Sequence, residues 1–167
     1  LTDLEHPCQA LADFLTVKET FGDLKGLDIC YIGDGNNVAN SLISCAVLLG
    51  ANIRISSPKG FEPKSSFLDL VNSKNKENSL IKISNKPMDS VKNAKVIYTD
   101  VWASMGQEKE KKIREEAFEG FCVNEDLLSH AHNEAIVLHC LPAHRGEEIS
   151  NDVMESKSSR IFEQAEN

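Results

Sequence analysis

The sequence predicts an α/β fold: a doubly wound, Rossmann-like parallel sheet of about five strands with helices on both faces. Five short apolar runs alternate with segments of helical spacing, and parallel strands require such crossover connections. Near its start the chain also has the order strand, glycine turn, helix, which is typical of this fold class. Its 167 residues contain no repeat, linker or low-complexity segment and fit a single domain, residues 1–167.

The first predicted elements are an amphipathic helix, a strand, a glycine turn and a second helix. Pro7 suits the first turn of a helix. Apolar residues follow it at spacings i, i+3, i+4 and i+7, namely Cys8, Leu11, Ala12 and Leu15. Residues 27–32 are an apolar run that predicts a strand, and Gly-Asp-Gly-Asn-Asn at 33–37 predicts the turn. The next helical stripe consists of Ala39, Leu42, Ile43, Ala46 and Val47.

The rest of the chain predicts four more strands and the helices that connect them. The strands are residues 50–57, 80–83, 95–99 and 135–138. The helices are residues 64–78, 87–92, 108–116 and 125–130. The charged helix at 108–116 is expected to be a solvated surface, with Ile113 and Ala117 turned inward.

Composition and charge exclude several classes of function. With 41% hydrophobic and 26% charged residues, the chain is typical of a soluble globular protein. A net charge of −8 and the lack of a Lys/Arg-rich stripe argue against a nucleic-acid surface. No apolar run approaches the roughly 20 residues of a membrane span, and residues 1–7 do not resemble a signal peptide. We therefore expect small-molecule partners, with no nucleic acid and no membrane.

The cysteine content bears on the cellular compartment. The chain has five cysteines, Cys8, Cys30, Cys45, Cys122 and Cys140. Their number is odd, and none of them are spaced as Cys-x-x-Cys, so neither a disulfide framework nor a zinc ribbon is expected. Reduced thiols and a cytoplasmic location fit this pattern best.

Polar residues follow three of the predicted strands. They are Asn36 and Asn37, then Asp100 with Ser104, and then His139 with Cys140. The carboxyl ends of parallel strands meet at one edge of the sheet, where ligands bind in open α/β folds. We therefore expect a polar crevice at this edge. On the motif alone, the alternative interpretation is that Cys140 is a small buried hydrophobe and His139 a satisfied buried histidine.

Two other kinds of site are weaker alternatives. A dinucleotide-binding oxidoreductase would need a third glycine where Val38 stands, and an acidic residue at the end of the second strand, which is also missing. A metal-binding module would have to use His130, His132, His139, Cys140 and His144. Adjacent residues such as His139 and Cys140 point to opposite sides of an extended chain, so their spacing suits a metal poorly. We expect neither a metal nor a cofactor.

Four motifs, in this order and spacing, resemble the ornithine carbamoyltransferases. They are His-Pro-Cys-Gln at 6–9, Gly-Asp-Gly-Asn-Asn at 33–37, Asp-Val-Trp-Ala-Ser-Met-Gly-Gln-Glu at 100–108 and His-Cys-Leu-Pro at 139–142. The sister aspartate carbamoyltransferases lack the Asp-x-Trp-x-Ser-Met-Gly loop and replace the motif cysteine. The resemblance implies a reaction of arginine metabolism, in which the carbamoyl group of carbamoyl phosphate passes to the δ-amine of L-ornithine. The resemblance further implies that the products are L-citrulline and phosphate and that the enzyme is a homotrimer or a multiple of one.

The resemblance also implies which residues contact each substrate. For ornithine they are Asn37, Asp100, Ser104 and Met105, and for carbamoyl phosphate they are His6, Gln9, Cys140 and Leu141. Cys140 would accept a proton from the δ-amine or position it. A free thiol has a pKa near 8.5, so the first role would require a neighbouring positive charge. The resemblance assigns no role to His144 or Arg145.

Members of this family carry further segments that residues 1–167 do not contain. One is a carbamoyl-phosphate-binding domain, with a Ser-Thr-Arg-Thr-Arg segment that binds phosphate, and another is a final C-terminal helix. We therefore expect this chain to be the ornithine-binding domain and to have little or no transferase activity by itself.

Overall fold

The computed structural model describes residues 1–103 and 110–167, in which five strands alternate with helices. The strands are β1 (Asp28–Ile32), β2 (Asn52–Ser56), β3 (Ile81–Ser84), β4 (Val96–Thr99) and β5 (Ile136–His139). The helices are α1 (Pro7–Phe21), α2 (Asn37–Leu49), α3 (Ser65–Lys74), α4 (Pro87–Ser90), α5 (Lys111–Ala117), α6 (Glu125–Ser129), α7 (Asn151–Met154) and α8 (Ile161–Glu166). None of the helices in this described part is long and apolar enough to cross a membrane.

The strands form one parallel sheet in the order β3-β2-β1-β4-β5. The chain builds outward from β1 to β3, then returns and builds in the opposite direction from β4 to β5. The reversal lies between β1 and β4, and a crevice opens there at the carboxyl ends of the strands. The predicted fold class, with its parallel five-stranded sheet, is confirmed.

The core consists of two layers, one on each face of the sheet. Along β1, Ile29 and Tyr31 belong to the first layer and Cys30 and Ile32 to the second, as the alternation of side chains along a strand requires. The first layer includes residues of α1, α2 and α3. The second includes residues from the later helices, among them Leu127, Val153 and Ile161. Helices therefore cover both faces, as predicted.

The predicted first helix is present, but its buried face is not the predicted one. Leu11 is 63% exposed and Leu15 44% exposed, and Cys8 is exposed as well. The buried residues of α1 are Ala10, Asp13, Phe14, Thr16 and Val17. This face packs on α2 and includes two polar side chains that form hydrogen bonds, Asp13 and Thr16. Hydrophobic spacing alone therefore selected the wrong side of the helix.

Later helices differ from the prediction in two ways. Ile113 in α5 is 65% exposed, whereas Arg114 is 6% exposed, so the expected inward position of Ile113 is wrong. Arg114 is buried because its guanidinium bonds to Asp34 and to the Trp102 carbonyl. Helices α7 and α8 were not predicted, because four and six residues are too few to show a helical period.

Candidate active site

Side chains from three strand ends meet in the crevice. Asp100 follows β4 and is 6% exposed. Its Oδ2 accepts a hydrogen bond at 2.7 Å from Nδ2 of Asn36, a residue of the turn that follows β1. Its Oδ1 accepts a hydrogen bond at 3.0 Å from Sγ of Cys140, the residue that follows β5. The predicted meeting of these motifs at one edge of the sheet is confirmed.

The turn after β1 fixes Asn36 through local structure. A Cβ at Gly35 would lie 2.2 Å from the backbone nitrogen of Pro63, so no larger residue fits at this position. Asn36 then caps α2, with its Oδ1 accepting from Ala39 N at 3.0 Å. Because the cap uses the oxygen of the amide, the nitrogen is left to donate to Asp100.

Asp100 is held from three sides in a nearly dry environment. Besides Asn36 and Cys140, the backbone nitrogen of Val101 donates to Oδ1 at 2.8 Å. A carboxylate so bonded and so buried offers strong attraction to a cationic group that enters the crevice, because little water screens it.

Cys140 is a neutral thiol in this arrangement. Burial raises the pKa of Cys140 well above its ordinary value, and the Asp100 carboxylate raises that pKa further through its charge and its hydrogen bond. The neighbour is thus an anion, not the cation that proton acceptance by Cys140 required. At neutral pH the sulfur donates a hydrogen bond and fixes the geometry beside Asp100.

His139 supports the loop from behind. Its Nδ1 accepts from Leu141 N at 2.8 Å, so the ring proton lies on Nε2, which donates to Glu148 Oε1 at 3.0 Å. Leu141 has a φ of +54°, and this hydrogen bond stabilises the turn. Both ring nitrogens are occupied and the residue is 1% exposed. The interpretation of His139 as a satisfied buried histidine is confirmed.

A second part of the site lies between α1 and α8. A cavity of about 340 Å³ is lined by residues that include His6, Gln9, Cys140 and Gln164. His6 donates its backbone N–H to Ser41 Oγ at 2.7 Å, and its buried Nδ1 has no hydrogen-bond partner among the described residues. The first helix therefore brings His6 and Gln9 to the same cavity as Cys140.

Asn37, another predicted contact residue, makes a separate hydrogen bond. Asn37 donates from Nδ2 to the Thr2 carbonyl at 2.8 Å, and its neighbour Asn36 is the one that contacts Asp100. Ser104 and Met105 lie outside the described residues. Sequence reasoning did not select Asn36 as a contact residue, although its position just before a helix is a typical cap signal.

Among the described residues, two clusters have donor atoms close enough to hold a cation. One is Asp100, His139 and Cys140, and the other is His144, Glu147 and Glu148. In the first, both nitrogens of His139 are already bonded. In the second, Lys111 already lies 3.2 Å from Glu147. The two other histidines of the metal-binding alternative, His130 and His132, belong to neither cluster in the described part of the chain.

The surroundings of His144 and Arg145 are structural. Arg145 Nη2 lies 2.6 Å from Glu155 Oε1, and its Nη1 bonds Asn151. The backbone nitrogen of His144 donates to Glu148 Oε1 at 2.6 Å. These contacts hold the segment after Pro142 together, and they keep Glu148 in place behind His139.

Comparison with known proteins agrees with this geometry. The family described as "Aspartate/ornithine carbamoyltransferase, Asp/Orn binding domain" matches residues 25–167. The chain belongs to the aspartate/ornithine carbamoyltransferase family. The predicted resemblance is confirmed, and the alternative of a dinucleotide-binding oxidoreductase is not supported.

Curated relatives of this family match the whole chain, and a solved structure matches nearly all of it. An ornithine carbamoyltransferase from a strain of Prochlorococcus marinus is 63% identical over 167 residues, which are 100% of this chain and 52% of the relative. One from Nostoc punctiforme is 51% identical, over 55% of its length. The ornithine carbamoyltransferase of Pyrococcus furiosus has a TM-score of 0.93 and 45% identity, covering 98% of this chain and 53% of that one. The chain spans about half the length of the curated relatives it matches.

Proposed function

We propose that this chain supplies the ornithine-binding half of an ornithine carbamoyltransferase. The enzyme would transfer the carbamoyl group of carbamoyl phosphate to the δ-amine of L-ornithine and release L-citrulline and phosphate. The main support is Asp100, a buried carboxylate at the carboxyl edge of the sheet that bonds both Asn36 and Cys140. The names of the relatives and structural neighbours add to this support.

The chemistry of ornithine explains why a carboxylate is needed. An amino acid presents an α-ammonium group and an α-carboxylate, which need an anion and hydrogen-bond donors respectively. We assign the anion to Asp100 and, from the resemblance, the donors to Asn37, the Ser104 hydroxyl and the backbone N–H of Met105. The δ-amine must lose a proton before it attacks, since a lysine-like amine has an ordinary pKa of about 10.4.

Cys140 takes a positioning role in this proposal. As a neutral thiol bonded to Asp100, it does not remove the proton from the δ-ammonium; instead it fixes where the amine lies. The δ-amine would approach the sulfur from the cavity that Cys140 also lines. In this proposal Asp100 therefore pairs with the α-ammonium group of ornithine and also bonds Cys140, which positions the reacting δ-amine.

The carbamoyl group would occupy the cavity between α1 and α8. His6, Gln9 and Cys140 line it, and from the resemblance we assign contacts with the carbamoyl group to the backbone of Cys140 and Leu141. A carbamoyl group needs a donor for its carbonyl oxygen, where charge develops in the transition state, and an acceptor for its NH2 group. A ring nitrogen, a carboxamide and backbone carbonyls together can meet both requirements.

We further propose a cytoplasmic setting. We also propose that an enzyme as long as the relatives forms a homotrimer or a multiple of one. The cytoplasmic setting is supported by five cysteines that are all free thiols. The oligomeric state rests on the family resemblance. Sedimentation equilibrium of a hybrid in which this chain replaces the matching part of a relative would test it, and a monomer would contradict it.

The experiment that tests the function is an assay of a hybrid protein. In this hybrid the chain replaces the matching 167 residues of the Prochlorococcus marinus relative. We expect the hybrid to form citrulline from carbamoyl phosphate and ornithine at a rate within about tenfold of the relative, a difference of about 1.4 kcal/mol in activation free energy. The 167-residue chain alone should form little or none. A folded hybrid that makes no citrulline, or that carbamoylates aspartate instead, would contradict the proposal.

Replacing Cys140 by Ser tests the positioning role. In the hybrid we expect kcat to fall severalfold, because a hydroxyl is smaller than a thiol and positions the δ-amine less well. The pH dependence of kcat should stay unchanged, because a neutral thiol does not titrate near neutral pH. Folding stability should change little, because the Ser hydroxyl can still donate to Asp100. If Cys140 were only a buried hydrophobe, the hydroxyl would cost about 1–3 kcal/mol of stability and leave kcat unchanged. Cys122→Ser, at another half-buried thiol, is the matched control.

A further inference from the structure

Asp13 is a carboxylate buried where the first helix meets the rest of the fold. It lies on α1, one turn beyond Gln9, and is 1% exposed. Its Oδ1 accepts hydrogen bonds from Gln9 Nε2 at 2.9 Å and from Gln164 Nε2 at 2.5 Å. Its Oδ2 has no hydrogen-bond partner in the described part of the chain. No sequence pattern predicts this arrangement, since Gln164 is 151 positions away.

Folding alone gives no reason for a charged group at this position. Burial raises the pKa of Asp13 to about 6, although the hydrogen bonds from the two glutamines lower it. A carboxyl group with a raised pKa destabilises the fold increasingly as the pH rises through that value. An Asn side chain could accept the same two hydrogen bonds through its carbonyl oxygen and would carry no charge.

A carboxylate differs from Asn because it can only accept hydrogen bonds. Both glutamines must therefore turn Nε2 towards Asp13 and Oε1 away from it. For Gln164, the Oε1 accepts the backbone N–H of His139 at 2.9 Å. For Gln9, the Oε1 is left for the cavity that Gln9 lines, and it accepts no hydrogen bond from the described residues.

We propose that Asp13 is a positioning residue that fixes the carboxamide of Gln9 with its oxygen towards the cavity. Asp13 does not touch the ligand. It makes the cavity present an acceptor, which suits the NH2 group of a carbamoyl ligand, and it holds His139 and the adjoining Cys140 through Gln164. The identity of that ligand rests on the proposed function.

The reverse orientation of Gln9 would present an N–H group to the N–H group of the ligand. A neutral Asn at position 13 permits this reversal, because its own Nδ2 can donate to Gln9 Oε1. The charge on Asp13 is thus what selects one orientation over the other. Asp13 can therefore be retained because it orients Gln9, although its buried charge lowers the stability of the fold.

The first test is Asp13→Asn in the hybrid. We expect the KM for carbamoyl phosphate to rise about tenfold, which corresponds to one net hydrogen bond, and the KM for ornithine to stay unchanged. The thermal stability of the 167-residue chain at neutral pH should not fall. Glu19→Gln is the matched control on the same helix, because its side chain accepts from Asn167 Nδ2 at 3.0 Å and does not contact Gln9. It should leave both KM values unchanged.

The second test does not depend on activity. In the isotopically labelled 167-residue chain, the side-chain NH2 signals of Gln9 and Gln164 should move in an NMR titration with a midpoint near the pKa of Asp13, about 6. Asp13→Asn should abolish this movement. Other titratable groups that face Asp13 are Cys45, Tyr98, Asp100 and Cys140, and all of them are present in both proteins.

These tests separate failure of the inference from failure of the proposed function. A parent hybrid that forms no citrulline refutes the function, while the NMR titration still decides the role of Asp13. The inference is overturned if the two NH2 signals do not respond to the ionisation of Asp13. It is also overturned if Asp13→Asn leaves the KM for carbamoyl phosphate unchanged, or raises both KM values together with a loss of stability.

Discussion

Asp100→Asn is expected to raise the KM for ornithine in the hybrid between about tenfold and a hundredfold and to leave the KM for carbamoyl phosphate nearly unchanged. The substitution removes the charge that would pair with the ammonium group of ornithine. A hydrogen bond to a charged group contributes about 1.5–3 kcal/mol, and each 1.4 kcal/mol is about a factor of ten in affinity. Initial rates with each substrate varied in turn would measure both constants.

The same substitution should also lower kcat, because Asp100 accepts from three donors. An Asn side chain has one accepting oxygen and one NH2 group, so it cannot accept from both Asn36 and Cys140 on separate atoms. Asp126→Asn, at an exposed acid on α6, is the control and should change neither constant. Similar rises in both KM values would contradict the assignment, provided that chemistry remains slow relative to substrate dissociation.

The fold could be predicted from the sequence because strands β1, β4 and β5 are buried on both faces along almost their whole length. Such strands appear as continuous apolar runs, and all five were found to within a residue or two of their ends. The predicted stripe on α2 is buried for the same reason, since Ala39, Leu42 and Ile43 face the sheet and are nearly inaccessible. The face of α1 could not be predicted, because its buried side includes the carboxylate Asp13, whose partner Gln164 lies in a helix too short to detect.

The site could be predicted only to the level of strand ends. The topology of a parallel sheet brings Asp100 and Cys140 to one edge, whatever the details of the loops. Which neighbouring side chain reaches Asp100 depends on the cap of α2, and this selects Asn36 over Asn37. The protonation of Cys140 depends on burial and on the nearby carboxylate, neither of which is encoded in the local motif.

Helix α5 contains one buried cation, which the sequence does not distinguish from its charged neighbours. Lys111, Lys112 and Arg114 are equally polar in the sequence, but of these only Arg114 is buried. Its Nη1 lies 2.7 Å from Asp34 Oδ2 and donates to the Trp102 carbonyl at 2.9 Å. Asp34 belongs to the turn after β1 and Trp102 to the segment after Asp100, so the Arg114 guanidinium joins two of the loops that form the crevice.

Arg114→Met is therefore expected to lower the free energy of unfolding by about 3–5 kcal/mol, because it leaves the Asp34 carboxylate buried without a counter-charge. The side chains of the pair are only 7% and 11% exposed, so solvent screens them little. Met retains an apolar stem beside Phe61, above whose ring the guanidinium lies at 5.0 Å, so the effect reports the lost charge more than lost packing. Urea unfolding of the 167-residue chain at neutral pH would measure it.

The pH dependence of this loss identifies its cause. Burial raises the pKa of Asp34 above its ordinary value even with Arg114 present, and removing the cation should raise that pKa further. A raised carboxyl pKa removes stability as the pH rises through it, so the deficit of Arg114→Met should shrink as the pH falls below neutral and Asp34 becomes protonated. Adding Asp34→Asn to Arg114→Met should recover most of the loss, and Lys112→Met, at an exposed neighbour, should cost almost nothing. A deficit below about 1 kcal/mol, as at a surface ion pair, or one that does not change with pH, would show that Arg114 does not compensate Asp34.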